Sequence, residues 1–371
     1  MKQRPLDIVF IGLSLSSSWG NGHATTFRGL LRGLHALGHR VVFLERDVPW
    51  YAENRDLKDA DFCELIYYGS VEELRRDHGR TIGKADAVIV GSYVPEGVAV
   101  IDTVAELSSG QFCFYDIDTP VTLAKLAAGD REYLSTQQIP LFDIYFSFTG
   151  GPTLTRLERE FGANRAEALY CSVDAERYRN TGEPACWDLG YLGTYSPDRQ
   201  PTLERLLLEP ARRMPDRRFV VAGPLYPSEI AWPENVERIH HLPPAEHPSF
   251  YSRQRFTLNV TRADMIEAGW SPSVRLFEAA ACGVPIISDR WNGLDEFFPI
   301  GQAIRAAAAA EDVMDILSNS DEPDRLEMAA QARDRVLQAH TGGARARELE
   351  AHLLEAGGRS RLQAGAIVRA G

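Results

Sequence analysis

Residues 269–289, GWSPSVRLFEAAACGVPIISD, hold the side chains best placed to do chemistry. Ser271 is a good N-cap, and Pro272 suits the first position of a helix. The N–H groups of Ser273 and Val274 would then be unpaired and point out of the helix start, where the helix dipole favours an anion. Arg275 falls in the first turn. A positive charge there opposes the dipole, and a bound anion would offset that cost. Glu278 is three residues on and shares the same face. Its carboxylate can accept two hydrogen bonds from a vicinal diol such as a ribose. Phosphates at the helix start and a ribose on the carboxylate together describe a nucleoside diphosphate. The same spacing also fits a capped amphipathic helix with a surface Arg–Glu pair.

Two other segments carry reactive types. Residues 16–22, SSSWGNG, form a small polar loop, with His23 opening the helix behind it. Gly20 and Gly22 would let the backbone approach a phosphate or sugar. His23 fits either a general base or a plain helix cap. Asp116 and Asp118 follow an apolar run at 112–115, which places both carboxyls at the end of a strand. Asp118 can take a proton from a substrate hydroxyl or bind one, and Asp116 stands beside it. The alternative is that the pair caps the turn before Pro120.

Segment 269–289 resembles the signature of GT-B glycosyltransferases of the group-1 superfamily, a Glu-bearing helix followed by an Ala-Cys-Gly-x-Pro turn and a strand. Residues 257–262 (TLNVTR) with SPSVRLFEAAACG are most similar to the CgeB-like (spore-maturation) branch. Residues 171–179 (CSVDAERYR) resemble the superfamily's interdomain segment. Residues 193–200 (GTYSPDRQ) sit where it has a Gly-Arg-…-Lys-Gly phosphate loop, and 340–353 resemble its closing helices.

The resemblance implies an α/β fold of two Rossmann-like domains facing a cleft. It implies transfer of a sugar from a nucleotide-diphosphate donor, UDP-type, to an unidentified acceptor, without a cofactor. The loop with Gly20 and Gly22 would face the donor diphosphate. Gly193, Tyr195 and Arg199 would lie at the phosphates, with Ser271, Ser273, Val274 and Arg275. The backbone of His241 and Leu242 would hold the base. This chain departs from the pattern at three places. Trp270 stands eight positions before Glu278, where the family usually has a second Glu. Thr194 replaces the loop Arg. Arg199 stands for the loop Lys, so Arg275 is expected to supply the missing cation. Asp-x-Asp is also the metal motif of the other large glycosyltransferase fold, but that fold would not place a Glu-bearing helix in a second α/β half. No metal site is expected. The competing readings are a GT-B nucleotide-sugar epimerase and a non-catalytic nucleotide-sugar-binding protein.

These residues need a scaffold of alternating strands and helices. Strands are expected at 7–15, 41–44, 87–90, 112–115 and 144–147. A second series is expected at 188–192, 218–222, 236–240, 256–260 and 284–288, with helices at 201–214 and 274–281. Such alternation implies parallel sheets with right-handed crossovers. The turn-rich NTGEP at 180–184 suggests a linker over 173–187. It would divide an acceptor-side domain, 1–172, from a nucleotide-sugar domain, 188–340, with 341–371 as a helical tail. A chain of 371 residues suits two such cores.

The net charge of −12 disfavours nucleic acid and anionic membranes as partners. Five scattered cysteines without a CxxC pair fit reduced thiols and a cytoplasmic location, with no transmembrane segment. Lysine occurs only at 2, 58, 84 and 125, so anion sites in the second half must use Arg, His or backbone N–H groups.

Overall fold

Short β-branched and aromatic runs such as AVIVG and IYFS are buried on both faces, which is the pattern of strands inside a parallel sheet. The computed structural model describes residues 4–19, 22–57 and 59–369, backbone alone after residue 355. It divides into two compact units. One comprises the chain to Ser172 together with the segment from Gly342, and the other runs Val173–Thr341.

The first unit holds β1 (Asp7–Gly12), β2 (Arg40–Arg46), β3 (Glu64–Tyr68), β4 (Ala87–Gly91), β5 (Gln111–Asp116), β6 (Ile144–Ser147) and β7 (Ala166–Ala168). They form one parallel sheet in the order β3-β2-β1-β4-β5-β6-β7. Alternate residues of β1 feed two cores. Ile8 and Phe10 face one layer of helices, Val9 and Ile11 the other. The order reverses between β1 and β4, and ligands of such sheets bind at the carboxyl ends of the strands at that point.

The second unit holds β8 (Trp187–Leu192), β9 (Phe219–Ala222), β10 (Val236–Ile239), β11 (Gln254–Asn259), β12 (Ile286–Ser288) and β13 (Arg305–Ala306). This parallel sheet runs β10-β9-β8-β11-β12-β13 and reverses between β8 and β11. The helical run 200–213 contains a π turn, Glu204–Leu208, just ahead of Pro210, which has no N–H for the regular ladder.

Two boundaries differ from the sequence expectation. The segment 341–371 is no separate tail. Its helix, Gly342–Arg369, returns to the first unit and buries Ala346, Leu349 and Leu353 against Phe27, Leu30 and Leu34. The backbones meet so closely that a Cβ on Gly33 would stand 2.6 Å from the Gly342 carbonyl oxygen. The expected linker 173–187 lies on the second unit. There the Val173 N–H donates to the His340 carbonyl at 2.9 Å, and the Thr181 N–H to Ser252 Oγ at 3.0 Å. Among the described residues no helix is long and apolar enough to cross a membrane.

Candidate functional site

In the second unit the helix expected to bind phosphate spans Val274–Ala281. Its N-cap is Ser273, whose Oγ accepts the Arg275 N–H at 3.3 Å, so the cap expected at Ser271 is corrected. Upstream, Trp270 has a φ of 41° and its N–H is held by the Asn292 carbonyl at 2.6 Å. This left-handed turn keeps Ser271 and Pro272 out of the helix, and Ser271 is fully buried. The N–H groups of Ser273 and Val274 donate to nothing among the described residues. Trp270 lays its indole over Gly293, where a Cβ would come within 2.6 Å of the ring.

The loop after β8 brings a second cation. Arg199 is 9% exposed, and its Nη2 donates to the Thr194 carbonyl at 2.6 Å, while Nε has no partner. Burial lowers its pKa, and the guanidiniums of Arg275 and Arg262 push the same way. Arg275 makes no side-chain hydrogen bond or ion pair among the described residues, and Arg262 has only Asp198 at 4.0 Å. Buried polar groups are rarely left unpaired, so this cluster of positive charge has the composition of an anion site.

The loop that carries Arg199 is fixed to its neighbour. Tyr226 donates to the Gly193 carbonyl at 3.0 Å, and the Tyr195 N–H to the Pro224 carbonyl at 3.0 Å. The rings of Tyr195 and Tyr226 meet edge-on at 5.6 Å. Gly223, at φ 143°, sits so close that a Cβ would stand 2.0 Å from the Gly193 oxygen. Arg238 lies between Tyr226 at 4.3 Å and Trp232 at 4.2 Å and donates to the Gly223 carbonyl at 3.2 Å.

Glu278 is 8% exposed, and its Oε2 accepts from Tyr251 at 3.4 Å. Burial raises its pKa, against hydrogen bonds from Tyr178 and Tyr251 and the charge of Arg275. His241 and Leu242 follow β10, with His241 exposed. The histidine linked to Glu278 through Tyr178 is one the sequence did not single out. His247 contacts Tyr178 OH through Nδ1 at 3.2 Å and hydrogen-bonds the Leu242 backbone. Burial pushes its pKa down to about 4, so it is neutral at pH 7. Its signal was weak because Tyr178 lies 69 residues away in the chain.

In the first unit, His23 and Asp118 come together. His23 opens the helix His23–Ala36, is 5% exposed, and places Nε2 3.5 Å from Asp118 Oδ2. Its Nδ1 has no partner, and its ring meets Tyr93 edge-on at 5.5 Å. The Asp118 side chain is 45% exposed and is the accessible member of the pair. Asp116 does not fit the substrate contact expected for it. It is fully buried, and its carboxylate accepts from Thr122 at 2.7 Å and Tyr145 at 2.6 Å. Burial pushes its pKa up to about 6. It also receives the Asp118 N–H at 3.3 Å, so it builds the turn that presents Asp118. Gly20 lies outside the described residues. Gly22 precedes the helix in open space, and a Cβ there would meet nothing within 4 Å. The preceding loop is clamped by buried Glu45, which accepts the N–H groups of Leu15 at 2.6 Å and Ser16 at 2.9 Å. Among the described residues no three His, Cys, Asp or Glu side chains converge as a metal-binding set.

Residues 199–351 match the family described as glycosyl transferase-like. No curated protein matches the chain. Solved structures share the fold. Sucrose-phosphate synthase from Thermosynechococcus elongatus aligns over 97% of this chain and 100% of its own, with 14% identity and a TM-score of 0.66. Anabaena HepE in complex with UDP and glucose aligns over 94% and 100%, with 11% identity and a TM-score of 0.65. An alpha-glucosyltransferase in complex with UDP and a DNA 13-mer aligns over 95% and 100%, with 13% identity and a TM-score of 0.69. The two parallel sheets are those of the GT-B glycosyltransferases.

Proposed function

We propose that this glycosyltransferase of GT-B fold moves a sugar from a uridine diphosphate donor to an acceptor hydroxyl, with no metal ion in the step. Buried Arg199, with Nε unpaired beside Arg275 and Arg262, carries the reading. Those guanidiniums and the free N–H groups of Ser273 and Val274 supply what a leaving diphosphate needs, preorganised charge aimed at developing negative charge. Glu278 takes the ribose diol, and the segment 241–242 the base. UDP is preferred because neighbours of the same fold are named in complex with it. In the first unit, Asp118 accepts the proton of the acceptor hydroxyl as its oxygen attacks the anomeric carbon. The bond from that carbon to the diphosphate oxygen breaks, and the diphosphate leaves onto the guanidiniums. His23, behind Asp118, orients it.

Residues 257–262 and 271–283 support a finer placement in the CgeB-like branch. Five free thiols fit a cytoplasmic location. The acidic balance of the chain argues against a nucleic-acid acceptor, although one neighbour of similar fold is named with DNA.

UDP release from UDP-glucose tests the scheme. Turnover should persist in excess chelator, and complete loss restored by magnesium or manganese would reject the metal-free step. Asp118→Asn should lower kcat by about 100-fold or more, the usual scale of general-base catalysis, and leave the Kd for UDP unchanged. An unchanged kcat would remove Asp118 from the chemistry.

A further inference from the structure

The carboxyl edge of the first sheet holds polar groups that the transfer step does not use. Arg46 ends β2 and Tyr68 ends β3, and the two are cross-strand partners. The guanidinium lies over the Tyr68 ring at 5.7 Å. Tyr68 is 1% exposed and its hydroxyl has no partner, and Arg46 Nη1 is also buried without one. Arg46 Nη2 meets Glu96 at 2.7 Å, and Glu96 keeps a side chain that is 54% exposed. Two orphan donors therefore stand on neighbouring strand ends, one of them on the side chain that pairs with a solvent-facing carboxylate.

The loop after β4 joins this cluster to Asp118. Tyr93, at φ 62°, packs on His23, and Glu96 follows at φ 56°. Two non-glycine residues in the left-handed region within four positions are strained, and such strain persists where the surroundings hold it. The loop lies at the β1–β4 reversal, where an α/β sheet takes its ligand.

Charge then selects the ligand. The cations along this edge are already paired among the described residues, Arg46 with Glu96, Arg28 with Asp56, and Lys125 with Asp130 and Glu132. Glu96 balances Arg46, so the negative charge left over is that of Asp118 and of the second carboxylate at Lys125. An anionic acceptor would meet repulsion that these paired cations do not offset. Hydroxyl groups would donate to Glu96 and accept from Arg46 Nη1 and Tyr68, leaving no orphan.

Resting on the transferase reading above, we propose that the acceptor is an uncharged polyhydroxylated molecule, a sugar or polyol, bound at the carboxyl ends of β2, β3 and β4 by Glu96, Arg46 and Tyr68. The test measures UDP release from UDP-glucose by the full chain, with a panel of neutral sugars and polyols against glucuronic acid and glucose 6-phosphate. Neutral members should accelerate release above the acceptor-free rate and the anionic ones should not. Glu96→Gln should raise KM for the best neutral acceptor roughly tenfold, the lower end for a charged hydrogen bond, with the Kd for UDP unchanged. Tyr68→Phe should also raise KM. If its hydroxyl is only an unsatisfied core group, the change should instead raise Tm and leave KM alone, which overturns its role. Anionic acceptors working as well as neutral ones, or no neutral acceptor working while UDP still binds, would overturn the acceptor class and leave the donor reading standing. Wild type that fails to bind UDP sinks the donor reading, and this one with it.

Discussion

At the scale of single residues, burial separates the two neighbouring aspartates of the first unit. Asp116 and Asp118 are two positions apart, and a sequence cannot say which is enclosed. The structure closes Thr122 and Tyr145 over Asp116 and leaves Asp118 open. This has a consequence for pH. The Asp116 pKa is raised from 3.8 to about 6, so folding favours its neutral form. Its contribution to stability is fully present below about pH 4 and is lost as pH rises through 6. At about 1.4 kcal/mol per unit, the loss is about 3 kcal/mol. Asp116→Asn cannot ionise, so wild type should lose about that much relative to the variant between pH 4 and pH 7, read by urea unfolding. A constant difference would mean that the two hydroxyl donors keep Asp116 ionised. Arg275 is the second residue whose surroundings define it, since its guanidinium is unpartnered among the described residues, next to the half-paired Arg199. Arg275→Ala should weaken UDP binding by about ten- to a hundredfold, the range for a charge-assisted bond of about 1.5–3 kcal/mol. Uridine should bind almost as before. Equal losses for both ligands, measured by calorimetry, would give Arg275 a structural role.

At the scale of elements, the site depends on two loop ends pressed together. Gly193 follows β8 and Gly223 follows β9, and nothing larger fits at Gly223. Gly223→Ala would force the backbones apart and strain a φ of 143°, at a cost of about 1–3 kcal/mol in a region that carries Arg199. The expected result is a lower Tm and a UDP affinity reduced by about tenfold. A normal affinity would show that Arg199 keeps its place without this contact. The long buried strands were legible because their apolar runs admit little else. The helix Val274–Ala281 was legible too, from its apolar spacing. What escaped was set by contacts distant in sequence. β3, with the sequence ELIYY, is only partly buried. β7 and β13 have 3 and 2 residues, too few to show a period. The cap moved from Ser271 to Ser273 because Asn292 holds Trp270, and residues 270 and 292 carry no local mark of each other. His247 escaped for the same reason, since only the fold brings Tyr178 to it.

At the scale of the molecule, the chain leaves its first unit at Ser172 and comes back at Gly342. The returning helix looked like an appendage because its Ala, Leu, Glu and Arg pattern suits any exposed amphipathic helix. Its apolar stripe is instead part of the first unit's core. Leu349 is fully buried in the cluster with Phe27, Leu30 and Leu34, and His39 Nε2 meets Glu350 at 3.1 Å. Cutting Leu349 to Ala removes a packed side chain that has no room to be replaced, a change that costs about 2–5 kcal/mol. That cost falls on the first unit, whereas Arg199, Arg275 and Glu278 belong to the second. Leu349→Ala should therefore lower the Tm of the first unit and leave the Kd for UDP unchanged below that transition. Hydrogen exchange resolves the two, because the amides of β1 and β4 should exchange faster while those of β8 and β11 should not. Ending the chain at residue 341 should act in the same direction and more strongly, since it removes Ala346 and Leu353 as well. Equal acceleration in both sheets, or a UDP affinity that falls with the packing of Leu349, would show that the two units unfold as one and that the returning helix supports the donor site itself.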